Sequence, residues 1–254
     1  MTVSGGGAMS ILITGGTKGI GRAIALAFAE PGADVFLNYH GDDDAAHEAR
    51  ALVESKGARC HPIKRDVATP AGCRAVLAEV AERVDRLDQL VHCAVRAIPK
   101  PALDCDADDF TAAVNLNGTA LLYLVQAADP LLRRGSTVFF LTSRGGRTVV
   151  PNYAAIGVAK ALAESLVRYL ASELAPRGIR INSVAPGVVH TDAVRALFGD
   201  QADEIVKHAA ETNPSGRGVQ DEDYTSVIRF LASPEAEFVQ GQTIFVNGGH
   251  YLAA

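Results

Sequence analysis

The chain has 254 residues, 48% of them hydrophobic, which is enough for a buried core in one large α/β domain or two small ones. Its net charge of −5 argues against nucleic acid or an anionic membrane as the main partner, and no apolar run reaches the length of about eighteen residues that a bilayer span needs. The cysteines Cys60, Cys73, Cys93 and Cys105 show no metal-ligand spacing, so no metal site is expected and the thiols read as those of a reduced, cytoplasmic protein.

Residues 1–9 are rich in Gly and Ser and read as a disordered leader or an expression remnant. From residue 10 to residue 254 the text alternates short apolar runs with longer amphipathic ones. Strands are expected at Ser10–Thr14, Val35–Asn38, Arg59–Arg65, Gln89–Cys93, Thr137–Thr142, Arg180–Val184 and Thr243–Val246. Helices are expected at Ile20–Ala29, Ala45–Lys56, Ala71–Val84, Ala107–Ala128, Ala154–Leu174 and Asp221–Ala232. Such alternation implies an α/β domain of the Rossmann type, a doubly wound parallel sheet with helices on both faces. No linker or repeat divides it. The stretch His190–Gly218 is more polar, is broken by Gly199, Pro214 and Gly216, and reads as a lid over a substrate site.

The first expected strand runs into Gly15, Thr17, Lys18, Gly19, Ile20 and Gly21 before a helix begins. Glycines in that place permit a tight turn and let backbone N–H groups approach a pyrophosphate at the helix N-terminus. The second strand ends at Asn38-Tyr39-His40, without the carboxylate that would bind the ribose hydroxyls of NAD. Nothing in those three residues repels a 2′-phosphate, whereas Asp42, Asp43 and Asp44 follow closely and suit the start of the next helix. After the fourth strand, His92 reads as a packed histidine and Cys93 as a small wall residue.

Further on, Tyr153 precedes Lys160 by seven residues, nearly two helical turns and a rise of roughly 10 Å. The two side chains then share a face without direct contact unless Tyr153 lies just outside the first turn, and a ribose or a water bridges them. Asn152 or its neighbour is the expected N-cap. An ammonium at Lys160 would lower the pKa of a nearby phenol. Asn115 lies in a helical text that disfavours asparagine, which points to a purpose for it.

These motifs resemble the short-chain dehydrogenase/reductase family over nearly the whole chain, Ser10 to Gly249. The glycine spacing Thr14-Gly15-Gly16-Thr17-Lys18-Gly19-Ile20-Gly21 is similar to the family's nucleotide motif. Asp66 and Val67 match the pair that flanks the adenine. Cys93, Ala94 and Val95 stand where the family wall of the cofactor site runs, although His92-Cys93-Ala94-Val95 departs from the usual Asn-Asn-Ala-Gly. Pro186, Gly187, Val189 and Thr191 resemble the loop that meets the nicotinamide. Ser143, Tyr153, Lys160 and Asn115 match the catalytic set, and Lys18 resembles the basic residue that meets the 2′-phosphate of NADPH.

Most family members place the tyrosine four residues before the lysine, where this chain has Ile156. The Tyr-(six residues)-Lys spacing looks most like the NADPH-dependent enoyl-acyl-carrier-protein reductases of the third type. The resemblance implies NADPH in preference to NADH and hydride transfer to an α,β-unsaturated thioester. Tyr153 would then stabilise the enolate, Lys160 would hold the ribose, and a proton from Tyr153 or solvent would return to the α-carbon. Ile156, Val149 and Phe198 would line the substrate pocket. It further implies an acyl thioester partner, on an acyl carrier protein or coenzyme A, a role in fatty acid or polyketide biosynthesis, and a homotetramer. Arg144, Arg147, Arg195, Lys207 and Arg217 would either meet an acidic carrier or form a solvated face. Two other readings stay open: a specialised reductase of secondary metabolism acting on a C=C, C=O or C=N bond, and a non-catalytic nucleotide-binding regulator.

Overall fold

The computed structural model describes residues 8–252, so the greater part of the expected leader, residues 1–7, lies outside the described residues. Bonding to the sheet begins at Met9, whose carbonyl accepts the Asp34 N–H at 2.8 Å. Seven strands form one parallel sheet: β1 (Ser10–Thr14), β2 (Asp34–Tyr39), β3 (Arg59–Lys64), β4 (Leu87–His92), β5 (Leu132–Leu141), β6 (Arg180–Pro186) and β7 (Thr243–Val246). Their spatial order is β3-β2-β1-β4-β5-β6-β7. The α-helices are α1 (Gly19–Phe28), α2 (Asp43–Glu54), α3 (Pro70–Ala81), α4 (Ala107–Val114), α5 (Ala120–Ala128), α6 (Ala154–Leu174), α7 (Asp192–Phe198), α8 (Ala202–Glu211) and α9 (Asp221–Ala232).

The sheet is covered on both faces, so central strands need apolar residues at successive positions rather than at every second one. β1 obeys this, being buried at all positions of Ser-Ile-Leu-Ile-Thr. Alternate side chains feed two cores. Leu12, Leu90 and Phe140 pack with Leu77 of α3, Leu124 of α5 and Val167 of α6. Ile13, Val91 and Phe139 pack with Ile24 of α1 and Ile228 of α9. Pro62 stands in β3, an edge strand, where its missing N–H need not remove a ladder bond. Thr69 caps α3 by accepting the Gly72 N–H at 3.1 Å, and Pro70 follows at the first helical position.

Beyond shifts of up to three residues at element ends, two expected elements differ from the sequence expectation. β5 starts at Leu132 rather than at Thr137, because Leu132 pairs with Leu87 ahead of an irregularity in the β4–β5 register. The expected helix over Ala107–Ala128 is interrupted by a π turn, Asn115–Thr119, between α4 and α5. This turn is pressed on α6: a Cβ on Gly118 would stand 2.7 Å from the Ala159 carbonyl oxygen. The strand order reverses beside β1, which neighbours both β2 and β4. A crevice beyond the carboxyl ends of the strands at that point is where such sheets bind ligands.

Candidate active site

The glycine turn closes the carboxyl end of β1. A Cβ on Gly15 would come within 2.9 Å of the Ala94 Cα, and one on Gly19 within 3.0 Å of the Thr191 methyl. The turn therefore touches the end of β4 on one side and the loop after β6 on the other. Gly21 joins them, its N–H lying against the Cys93 sulfur. Lys18, at the N-cap of α1, offers no side-chain acceptor to the helix, and the first turn carries no carboxylate. An uncapped N-terminus without acidic residues suits an anion, so these residues fit the pyrophosphate of a dinucleotide. Thr17 is buried within the turn and Ile20 packs on the core below it. On the far side, Thr191 caps α7 by accepting the Val194 N–H at 3.3 Å, and the Gly187 N–H donates to the Val246 carbonyl at 2.9 Å. Val189 packs on the α1 side of the core, and Pro186 ends β6.

At the end of β2 the placement differs from expectation. The Asn38 side chain faces β3, donating to the carbonyls of Ile63 at 3.2 Å and Arg65 at 2.9 Å. It is buried there and steadies the chain ahead of Asp66 and Val67 rather than opening towards a ribose. Tyr39 donates to Asp43 at 2.9 Å, and His40 is exposed. The Lys18 ammonium is held by two carboxylates, Asp42 and, at 3.2 Å, Asp192 of α7. Asp42 also caps α2 through the Ala45 N–H at 3.0 Å, the helix-starting role its sequence position suggests. Asp66 accepts the Ala68 N–H at 2.9 Å, and Val67 points into the core.

His92 knits three elements at the end of β4. The Leu116 carbonyl can only accept, so the ring donates from Nε2, at 2.9 Å, and Nδ1 is left to accept the Thr14 hydroxyl at 2.7 Å. The Thr14 oxygen in turn accepts the N–H groups of Cys93 and Ala94 at 3.2 and 3.3 Å. Burial and the nearby Lys160 push the His92 pKa down to about 3, so the ring is neutral. The reading of His92 as a packed histidine fits this bonding. Burial pushes the Cys93 thiol up to about 11, against the opposing charge of Lys160, which leaves it protonated. Val95 is exposed on the loop that follows.

Ser143 and Tyr153 are brought together, their hydroxyl oxygens 3.1 Å apart. Ser143 caps the short turn Arg144–Gly146 by accepting the Gly145 N–H at 3.2 Å. Tyr153 is itself the N-cap residue of α6, with φ −117° and ψ 8°, so it sits just outside the first turn. Burial holds its phenol above the usual range, and Ser143 and the Arg144 charge pull the other way. Lys160 is turned elsewhere. Its ammonium donates to the Leu141 carbonyl at 2.7 Å and lies 4.6 Å from the centre of the Phe140 ring. Burial pushes its pKa down to about 8, opposed by Cys93 and Glu164. The expected charge next to the phenol is therefore that of Arg144 rather than Lys160.

Asn115 is half-buried in the π turn, and its carbonyl accepts the N–H of Ala120, five residues on. The neighbouring Asn117 has the larger structural role: it is fully buried and binds both the N–H and the carbonyl of Arg96, at 2.8 and 2.9 Å. The unfavourable position of asparagine in a helix applied equally to it. The three residues expected to line one substrate pocket do not share a surface. Ile156 is 1% exposed, on the face of α6 that carries Ala155, Ala159 and Lys160 inward. Val149 is 93% exposed on the loop before Tyr153, and Phe198 is half-buried at the end of α7. An open cavity of about 550 Å³ lies instead beside β7, between Asn213, Arg217, Phe245 and Tyr251, and none of Ser143, Tyr153 or Lys160 is in its wall.

A family model described as enoyl-(acyl carrier protein) reductase matches residues 15–251. The 1-cyclohexenylcarbonyl-CoA reductase of Streptomyces collinus is 32% identical over 243 residues, 96% of this chain and 87% of that protein. A 3-oxoacyl-(acyl-carrier-protein) reductase of Staphylococcus aureus (strain N315) is 34% identical over 245 residues, 96% of this chain and 98% of that one. Among solved structures, a short chain dehydrogenase from Burkholderia cenocepacia J2315 in complex with NADP superposes with a TM-score of 0.86 at 29% identity, covering 96% of this chain and 98% of that one. Together with the seven-stranded parallel sheet, these likenesses show that the chain belongs to the short-chain dehydrogenase/reductase family.

Proposed function

We propose that this oxidoreductase reduces the conjugated double bond of an enoyl thioester with NADPH. The observation that carries the reading is the Ser143–Tyr153 hydroxyl pair at the mouth of α6, with Ile156 filling the position from which most family members protonate a carbonyl. The family model's description and the likeness to a cyclohexenylcarbonyl-CoA reductase support it. When bound, the nicotinamide nucleotide supplies the hydride. The glycine turn and the N-terminus of α1 hold the pyrophosphate, and Thr191 and Gly187 close the site from the β6 side. Negative charge collects on the thioester oxygen as the double bond is reduced, and preorganised donors aimed at that atom lower the barrier. Burial keeps the Tyr153 phenol protonated, the state needed to donate to this oxygen, and Ser143 orients it. Lys160, poised at about 8, can gain or release a proton near neutral pH and holds the ribose.

NADPH is the cofactor because the end of β2 carries no ribose-binding carboxylate and Lys18 stands beside it, exchanging its carboxylate partners for a phosphate. The solved relative with NADP supports this. The thioester is borne by an acyl carrier protein or by coenzyme A. Ketone reduction is the second reading, favoured by the likeness to a 3-oxoacyl reductase.

Steady-state rates with NADPH and crotonyl-CoA or acetoacetyl-CoA separate the two readings. Tyr153→Phe removes only the hydroxyl. It should lower turnover on the crotonyl thioester by roughly ten- to a thousand-fold, as loss of one oxyanion donor does, with NADPH affinity within about twofold of the parent. Full activity of Tyr153→Phe on every substrate that the parent reduces would remove the phenol from the reaction.

A further inference from the structure

One turn beyond Lys160 on the inward face of α6 lies a carboxylate, Glu164, buried as deeply as the lysine, each being 5% exposed. A carboxylate taken out of water costs several kcal/mol unless it is paired and hydrogen-bonded. Glu164 has two partners, and they bracket one loop. Oε1 accepts the Thr142 hydroxyl at 2.8 Å, and Oε2 accepts Nε of Arg147 at 2.9 Å. Thr142 immediately precedes Ser143, and Arg147 immediately follows the turn Arg144–Gly146. Arg147 rests in its turn on Phe245 of β7, with its guanidinium 4.9 Å from the ring centre.

Between the two anchors the loop has no slack. A Cβ on Gly146 would stand 3.1 Å from Glu164 Oε1 and 3.3 Å from Lys160 Cβ. One on Gly145 would fall 2.5 Å from the Tyr153 ring, and one on Gly157 of α6 2.6 Å from the Gly145 carbonyl oxygen. We propose that Glu164 is a positioning residue of the active site: it clamps both ends of the Ser143 loop onto α6, fixes the Ser143–Tyr153 hydroxyl pair, and places a negative charge beside the Lys160 ammonium. The proposal rests on the assignment of Ser143, Tyr153 and Lys160 to the reaction.

A carboxylate that serves only to fill space would be replaced without consequence by an amide of the same shape. A clamp that carries charge would not. The groups facing Lys160 are the neutral His92 of β4 and Cys93 just after it, the Leu141 carbonyl from β5 and Glu164 from its own helix. Those facing Glu164 are Arg147 and the uncharged Thr142 from the serine loop, and Lys160 and Arg168 from its own helix, the Arg168 guanidinium donating to the Glu164 backbone carbonyl at 3.0 Å. Glu164 favours the charged lysine and burial opposes it. NADPH is anionic, so its affinity should fall as pH rises through the Lys160 midpoint.

The experiment is NADPH binding by fluorescence from pH 6 to 10, together with turnover, in Glu164→Gln, Glu164→Asp and Arg147→Met. Glu164→Gln should move the midpoint down by about one pH unit, and should lower turnover about tenfold or more with the substrate KM within about twofold, as a displaced reacting group does. Glu164→Asp keeps the charge and should restore the midpoint while its shorter reach leaves turnover reduced. Arg147→Met, which replaces a half-exposed side chain and tests the idea even if the Glu164 variants fold poorly, removes the balancing cation and should move the midpoint up. An unmoved midpoint with parental turnover in Glu164→Gln, or an unmoved midpoint in Arg147→Met, overturns the clamp. Absence of crotonyl-thioester reduction in the parent would overturn the enoyl reading instead and leave the NADPH midpoints to decide the role of Glu164.

Discussion

At the scale of single residues, His92 at the end of β4 shows how one side chain can order the surroundings of Lys160. Its ring accepts from Thr14 on β1 and donates to Leu116 in the π turn, so one neutral side chain joins three elements around Lys160. That role has a thermodynamic signature. The pKa is pushed from 6.5 down to about 3 in the folded protein, so the unfolded chain binds a proton below pH 6.5 that the folded one refuses. The stabilisation is fully present above 6.5 and is lost as pH falls through that value towards 3, at about 1.4 kcal/mol per pH unit. Carboxylates with lowered pKa, such as Asp223 at about 2, titrate at more acidic pH and leave the window from 6.5 to 5 to the histidine. Urea unfolding at pH 7 and pH 5 should show the parent losing about 2 kcal/mol more than His92→Asn over that interval. Equal losses in the two proteins would mean that the ring is charged or exposed in solution.

At the scale of elements, the stretch His190–Gly218, expected to act as a lid, has few buried residues in its helices. Within it the structure has two helices, α7 and α8. No residue of α7 is buried, and in α8 only Ala202 is. Polar ties fasten the segment to the rest of the protein, Asp192 to Lys18 at 3.2 Å, Asn213 to the Asn247 carbonyl at 3.0 Å and Arg217 to Asp223 at 2.6 Å, while His190 and Asp203 pair within it at 2.7 Å. Exposed ion pairs contribute at most about 1 kcal/mol, so few buried contacts oppose local opening. Lys18 belongs both to this latch and to the proposed phosphate site. Hydrogen exchange across residues 192–211 should be fast in the free protein and slow on adding NADPH. Lys18→Ala should speed exchange in α7 and weaken NADPH binding at least about tenfold more than NADH binding, because only NADPH presents a phosphate to an ammonium. Equal losses for the two cofactors would show that Lys18 serves the latch alone.

At the scale of the whole molecule, the sheet consumes both of its faces, yet α6 keeps an apolar outer stripe. Val158, Leu162 and Tyr169 stand at helical spacing on one exposed side, with Tyr169 70% accessible, while the opposite side carries Lys160 and Glu164. Solvent-facing apolar residues aligned on a long helix suit helix-on-helix association between copies. No helix among the described residues is long and apolar enough to cross a membrane, so that stripe is not explained by a span. Light scattering should report a homotetramer at micromolar concentration, and Leu162→Glu combined with Tyr169→Glu should shift it to smaller species with the fold retained by circular dichroism. A parent that stays monomeric under those conditions would remove the interface.

Much was legible in the sequence, because the signals are local. Period and length place seven strands and their helices. A glycine turn between a strand and a helix must leave N–H groups free for an anion. The distances Ser143 to Tyr153 and Tyr153 to Lys160 are covalent facts that survive folding. What only the tertiary structure decided is direction. Lys160 points at the Leu141 carbonyl of β5 instead of towards the phenol, while Gly145, Gly146 and Gly157 let α6 close on the turn Arg144–Gly146. Asn38 turns to β3, and Ile156 turns inward, because their backbones face those neighbours. Lys18 meets two carboxylates 24 and 174 residues further along, and Glu164 reaches back 22 and 17 residues to bracket the serine loop. Such partners are chosen by packing between elements distant in the chain, and spacing within one segment carries no record of them.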